Sequence, residues 1–152
     1  MVPVLAAVVA PAQPAYVSLV SALHLHGMIE QIPQAIHVVL PVQRRSRRTA
    51  VGRVEFFRME RELIGGYEPG GRAHNFDLAT PAKALFDALY LSVHRGQRFT
   101  HFPELTLGPR FRTSEMEEWI ARVRGPRRRA AVATRWSRLR ATLPAKAASR
   151  RR

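Results

Sequence analysis

The chain contains no cysteine, which excludes a disulfide framework and any thiolate metal site and fits a reducing, cytoplasmic setting. Lysine is nearly absent, with two lysines against 23 arginines. Residues 1–43 hold no base and a single acid, Glu30, whereas residues 122–152 hold no acid at all. Long apolar runs are missing too. The most apolar stretch, MVPVLAAVVA, lasts ten residues, about half of what a bilayer crossing needs, and it lacks the positive start of a secretory leader. No membrane partner is expected. There is no GxGxxG, no Gly-Lys-Ser/Thr, no G-x-S-x-G, no H-E-x-x-H and no D-x-D. Without those arrangements of phosphate cradle, nucleophile or metal ligand, the chain reads as no enzyme, with no catalytic residue, cofactor or metal site.

What the sequence does have is positive charge, placed unevenly. Residues 1–43 contribute −1, residues 44–121 contribute +3 and residues 122–152 contribute +12 of the net +14. A basic end on a nearly neutral body is the pattern of a polyanion-binding arm on a folded domain. The arginine bias favours bidentate contacts to phosphates and base edges, although the base composition of a genome produces the same bias.

The best-specified element is TPAKALFDALYL, residues 80–91. Thr80 is a cap for the first-turn amides and Pro81 suits the first helical position, where a missing N–H costs nothing. Ala82, Leu85, Phe86, Leu89, Tyr90 and Val93 then line one face of a helix. Upstream, Ser18 is placed to cap a helix of about nine residues closed by Gly27. Its His24 and His26 point apart by about 200°, so they do not chelate one ion together, and the reading they leave is one half-buried and one solvated histidine. AIHVVLP (35–41) and VGRVEFFRM (51–59) are strands, and a third, about 73–79, leads into Thr80. LIGGYEPGGR (63–72) turns sharply without the spacing of a phosphate loop. TSEMEEWIARVR carries a capping-box spacing from Ser114 to Glu117. Gly125 and Pro126 then break the chain before RRRAAVATRWSRLRATL, a basic amphipathic helix with Val132, Trp136, Leu139 and Leu143 on its apolar face.

These segments predict an α+β fold: a small mixed sheet of about three to five strands packed with helices, plus a basic C-terminal helix and tail. The organisation is an extended segment at 1–15, an α/β domain at 16–124, and the basic helix with a disordered tail at 125–152. Two places gather candidate nucleic-acid-binding residues. Arg44, Arg45, Arg47 and Arg48 sit at the tip of an expected hairpin, with Arg53 and Arg58 extending the patch along a strand; Arg127, Arg128, Arg129, Arg135 and Arg138 belong to the C-terminal helix.

The succession YVSLVSALHLHGMIEQIP, AIHVVLP, the arginine-rich turn, VEFFRM, the glycine-rich turn and ATPAKALFDALYL resembles the C-terminal domain of AbiEi-type antitoxins, the transcriptional regulators of abortive-infection (type IV) toxin–antitoxin pairs. The likeness spans residues 16–91. Its strongest marks are Ser21, Ala22, Leu23, His26 and Gly27, and the segment around Thr80; Ala82 stands where the family commonly has glutamate. The resemblance implies a phage-defence antitoxin domain that represses its own operon and neutralises a cognate nucleotidyltransferase-like toxin. It also implies a preceding winged helix-turn-helix, of which VLAAVVAP is the remnant of a wing strand. The expectation is therefore an antitoxin-like regulator that binds DNA through its arginines. The alternatives are a protein-interaction module without DNA binding, or an RNA- or ribosome-associated basic protein.

Overall fold

A computed structural model describes residues 14–50, 52–69, 76–94 and 104–143. Its class is α+β, with a six-stranded mixed sheet and four helices. The elements run β1 (Tyr16–Val17), α1 (Leu19–Leu25), β2 (Ile36–Leu40), β3 (Arg47–Thr49), β4 (Gly52–Arg58), a 3-10 turn (Arg61–Leu63), β5 (Tyr67–Glu68), β6 (Leu78–Ala79), α2 (Pro81–His94), α3 (Thr113–Ala121) and α4 (Pro126–Thr142). The strand order is β3-β4-β2-β1-β6-β5. β2 is parallel to β4 and β1 to β6, while the remaining neighbours are antiparallel.

Six strands exceed the three to five read from the sequence. β6 is the end of the strand read at about 73–79, and the surplus is β1, β3 and β5, only two or three residues long and so too short to show alternation. The segments 35–41 and 51–59 are strands as expected, but they run parallel and do not form a hairpin with each other. The hairpin instead joins β3 to β4, so Arg47 and Arg48 lie within an edge strand and not at a tip.

The central helix starts as the sequence requires, with the Lys83 amide donating to Thr80 Oγ1 at 3.1 Å. Its burial differs from expectation. Not one face but every residue from 81 to 92 is buried, because α2 is wrapped by the sheet, α1, α3 and α4. Tyr16, Val39 and Ala79 from one sheet face join Leu23, Leu85, Phe86, Leu89, Trp119 and Trp136 in the main core. Val17, Val38 and Val54 make a smaller cluster on the other face with Ile36, Phe56 and Phe76.

Two other local readings change. α1 has seven residues, and Ser18 holds the cap position without a side-chain cap bond because its hydroxyl donates to Asp87 instead. The expected box at Ser114 and Glu117 is not made; α3 is preceded by Arg112, with no side-chain cap. Gly27 does adopt the left-handed conformation that closes α1, at φ +75°. The segments read as 1–13, 70–75 and 144–152 in the extended start, the third strand and the tail lie outside the described residues.

Candidate functional site

The strand arginines do not form one patch. In the β3–β4 ladder Arg48 faces Arg53, and Arg47 faces Val54. Because side chains alternate along a strand, Arg48 and Arg53 share one face, while Arg47 shares the other with Val54, Phe56 and Arg58. Arg44 lies over the Phe56 ring at 5.4 Å, and Arg45 is exposed in the preceding connection. Arg53 Nε is 3.4 Å from Glu55 Oε2. The resulting edge is positively charged on both faces of a terminal strand, which also discourages edge-to-edge pairing with another sheet.

The C-terminal helix gathers charge more tightly. α4 reads PRRRAAVATRWSRLRAT, six arginines and no acid. Val132 and Trp136 are buried, Leu139 and Leu143 pack beside them, and Phe111 meets the Trp136 ring at 5.7 Å. Three arginines help seat the helix: Arg128 Nη1 donates to Tyr90 Oη at 3.2 Å, Arg129 Nη1 donates to the Val123 carbonyl at 2.7 Å, and Arg140 lies over Trp136 at 5.7 Å. Arg127, Arg135 and Arg138 make no hydrogen bond or ion pair among the described residues. Arg127 and Arg138 stand about 16 Å apart along the axis on the face opposite the apolar stripe. The other exposed positions on that face are small: Ala130, Ala131, Thr134, Ser137 and Ala141.

The core also holds a network that sequence reasoning missed. Lys83 and Asp87 have no exposed side-chain surface and form an ion pair at 2.5 Å. Lys83 Nζ donates its other hydrogens to Tyr16 Oη and the Leu63 carbonyl, both at 2.7 Å. Asp87 Oδ2 accepts from Tyr16 Oη at 3.0 Å and Ser18 Oγ at 2.7 Å. All three ammonium hydrogens and both carboxylate oxygens are thereby occupied. Trp119 covers Nζ at 4.5 Å, and Tyr67 stacks on Tyr16 at 4.8 Å. Burial lowers the Lys83 pKa and raises that of Asp87, with each partner opposing the shift of the other. Burial and Asp87 together hold the Tyr16 hydroxyl well above its ordinary range. The i, i+4 spacing of Lys83 and Asp87 on a helix was visible in the sequence, but nothing local marked the pair as buried.

Gly66 explains the glycine pair preceding this network. A Cβ there would stand 2.8 Å from Lys83 Cγ and 2.9 Å from Trp119 Cζ2, on a backbone at φ +66°. The turn at 63–66 is therefore a close-approach device over Lys83, and its carbonyl at Gly66 accepts from the Thr80 amide at 2.9 Å.

Ser21, His37 and Glu55 also come together. Ser21 Oγ is 3.3 Å from His37 Nδ1, and His37 Nε2 is 3.6 Å from Glu55 Oε1. The grouping lacks the chemistry of a nucleophilic triad. Ser21 Oγ already donates to the Ala35 carbonyl at 3.0 Å and accepts from the His37 amide at 2.9 Å, so it serves as a clamp between α1 and the entry of β2. His26 Nε2 meets the Ala79 carbonyl at 2.7 Å, tying the end of α1 to β6. Among the described residues no cluster of His, Asp and Glu is arranged to hold a metal ion, and no helix is long and apolar enough to cross a membrane.

No family model, no curated protein and no solved structure matches the chain.

Proposed function

We propose that the chain is a non-enzymatic, antitoxin-like regulator that binds DNA through α4, with the β3 edge as a second phosphate contact. The carrying observation is α4 itself: six arginines and no acid on a helix whose apolar stripe is fixed in the core. Arg127, Arg135 and Arg138 have no partner among the described residues, and small residues separate Arg127 from Arg138, so a polyanion can approach the helix closely. Phosphate contacts supply affinity and orientation, whereas discrimination among sequences requires arginine forks at base edges. Neutralisation of a nucleotidyltransferase-like toxin enters this reading from the resemblance of residues 16–91 alone.

Deleting residues 125–152 is a poor test, because Val132 and Trp136 belong to the core and their removal exposes it. The charge-reversal pair Arg127→Glu and Arg138→Glu leaves that stripe intact. Fluorescence anisotropy with a duplex oligonucleotide measures binding. If six to ten phosphates are neutralised, wild-type affinity falls on the order of 10³- to 10⁵-fold between 50 and 200 mM salt. The double variant binds weakly and shows a shallower slope. Salt-insensitive wild-type binding, or unchanged affinity in the variant, sinks the reading.

A further inference from the structure

A cleft of about 260 Å³ opens between the second half of α1, the loop leading to β2 and the start of β4. Two of its lining residues, Leu25 and Ile32, are large hydrophobic side chains exposed to 44 % and 74 %. Single exposed apolar side chains are ordinary, but two that converge on one concavity mark an interaction surface. His24 lines the same cleft, and its Nδ1 is buried without a hydrogen-bond partner among the described residues. Such a nitrogen has lost its water and gained nothing in return. Arg53 also lines the cleft and is about half exposed, with Arg48 opposite it in the ladder. Only Arg53 Nε faces Glu55, which leaves the terminal nitrogens of the guanidinium for another acceptor.

We propose that this cleft docks an acidic, apolar segment of a partner protein, with an apolar side chain seated against Leu25 and Ile32 beside the His24 ring, and carboxylates against Arg53 and Arg48. Charge selects this occupant over the others. A second copy of a +14 chain brings like charge against the arginine rim, which disfavours association. A nucleic acid backbone leaves Leu25 and Ile32 uncovered or sets phosphates over them. An acidic segment with apolar anchors matches both the wall and the rim, the usual anatomy of a small interface. The surface is separate from α4, so the inference holds whether or not α4 binds DNA.

The test uses the full chain and a short fluorescein-labelled peptide of alternating leucine and glutamate, with two control peptides, one replacing leucine by serine and one replacing glutamate by lysine. Anisotropy rises and saturates with the first peptide only. Ile32→Ser and Leu25→Ser each weaken it about tenfold, as expected for losing roughly one buried aliphatic contact. Arg53→Gln weakens it and flattens its salt dependence. Unchanged near-ultraviolet circular dichroism verifies that these exposed positions do not control folding. In the wild type the His24 ring ¹⁵N resonances move on saturation. Equal affinity in Ile32→Ser, equal binding of the serine peptide, binding that leaves His24 unmoved, or no binding at about 1 mM peptide each overturns the proposal.

Discussion

Lys83 is the only lysine among the described residues, and none of its side chain reaches water. Removing a charge from solvent is expensive, and the attraction of a partner repays it only with complete hydrogen bonding. Here the bonding is complete, so the test lies in breaking it. Lys83→Met strands the Asp87 carboxylate, and Asp87→Leu strands the ammonium; each single change is expected to cost about 3–5 kcal/mol. The double variant strands only the Tyr16 and Ser18 hydroxyls and the Leu63 carbonyl, at about 1–3 kcal/mol for each group left dry. Its loss should therefore fall short of the sum of the singles by about 2 kcal/mol or more in a urea-denaturation cycle. Strictly additive losses would show that the two charges do not act together. The pH dependence carries a definite sign. The raised pKa of Asp87 contributes stability that is fully present below 3.8 and lost as pH rises through the folded value, and the lowered pKa of Lys83 contributes stability present above 10.5 and lost as pH falls through its folded value. Between the two folded values, where both groups are charged, neither contribution is present, so the double variant compares more favourably with the wild type there than at either extreme of pH.

At the scale of elements, α2 and α4 show what a sequence can reveal. Both are long enough for 3.6-residue periodicity to repeat, and both have breakers or caps at the start: Thr80 and Pro81 for α2, Gly125 and Pro126 for α4. β1 and β5 were hidden because two residues carry no period. The direction of β2 against β4 was hidden because pairing depends on a crossover, and the intervening arginines suggested a simple turn. The Lys83 cage was the least legible feature, since its walls come from residues 16, 63, 87 and 119, four separate elements or turns. The arginines of α4 were visible as charge, but their division into anchors and open donors depends on where Tyr90, Val123 and Trp136 stand. That division gives the element its own prediction. Trp136→Ala removes the main anchor of α4 and should cost about 3–5 kcal/mol. An arginine-rich helix that detaches becomes a trypsin substrate, so cleavage within 126–142 should accelerate sharply in this variant. Arg138→Ala, on the open face, should stay within about 0.5 kcal/mol of wild type and keep its resistance to cleavage at the remaining arginines. Equal cleavage rates for the two variants would mean that Trp136 does not hold the helix.

For the whole molecule, the same +14 charge should act on stability and on the proposed DNA binding with opposite dependence on salt. Crowded arginines on α4 and on the β3 edge repel one another in the folded state, and that repulsion destabilises the compact form. Added salt screens exposed charges over about 10 Å at 0.1 M but leaves a dry pair such as Lys83 and Asp87 almost untouched. The exposed ion pairs that salt weakens are few: Arg53 with Glu55, Arg110 with Glu68 and Arg124 with Glu62 among the described residues. Each is worth at most about 1 kcal/mol. Repulsion therefore outweighs pairing, and the thermal midpoint should rise as sodium chloride increases from about 0.05 to 0.3 M while affinity for duplex DNA falls. A duplex should substitute for salt in stabilising the fold. At low ionic strength, saturating the chain at about 100 times its dissociation constant adds roughly 2.7 kcal/mol by mass action, and the added stability should vanish at the salt concentration that abolishes binding. A midpoint that falls with salt would show that the surface pairs dominate. A duplex that leaves the midpoint unchanged at low salt would show that the folded state does not select it, and the arginines of α4 would then serve solubility.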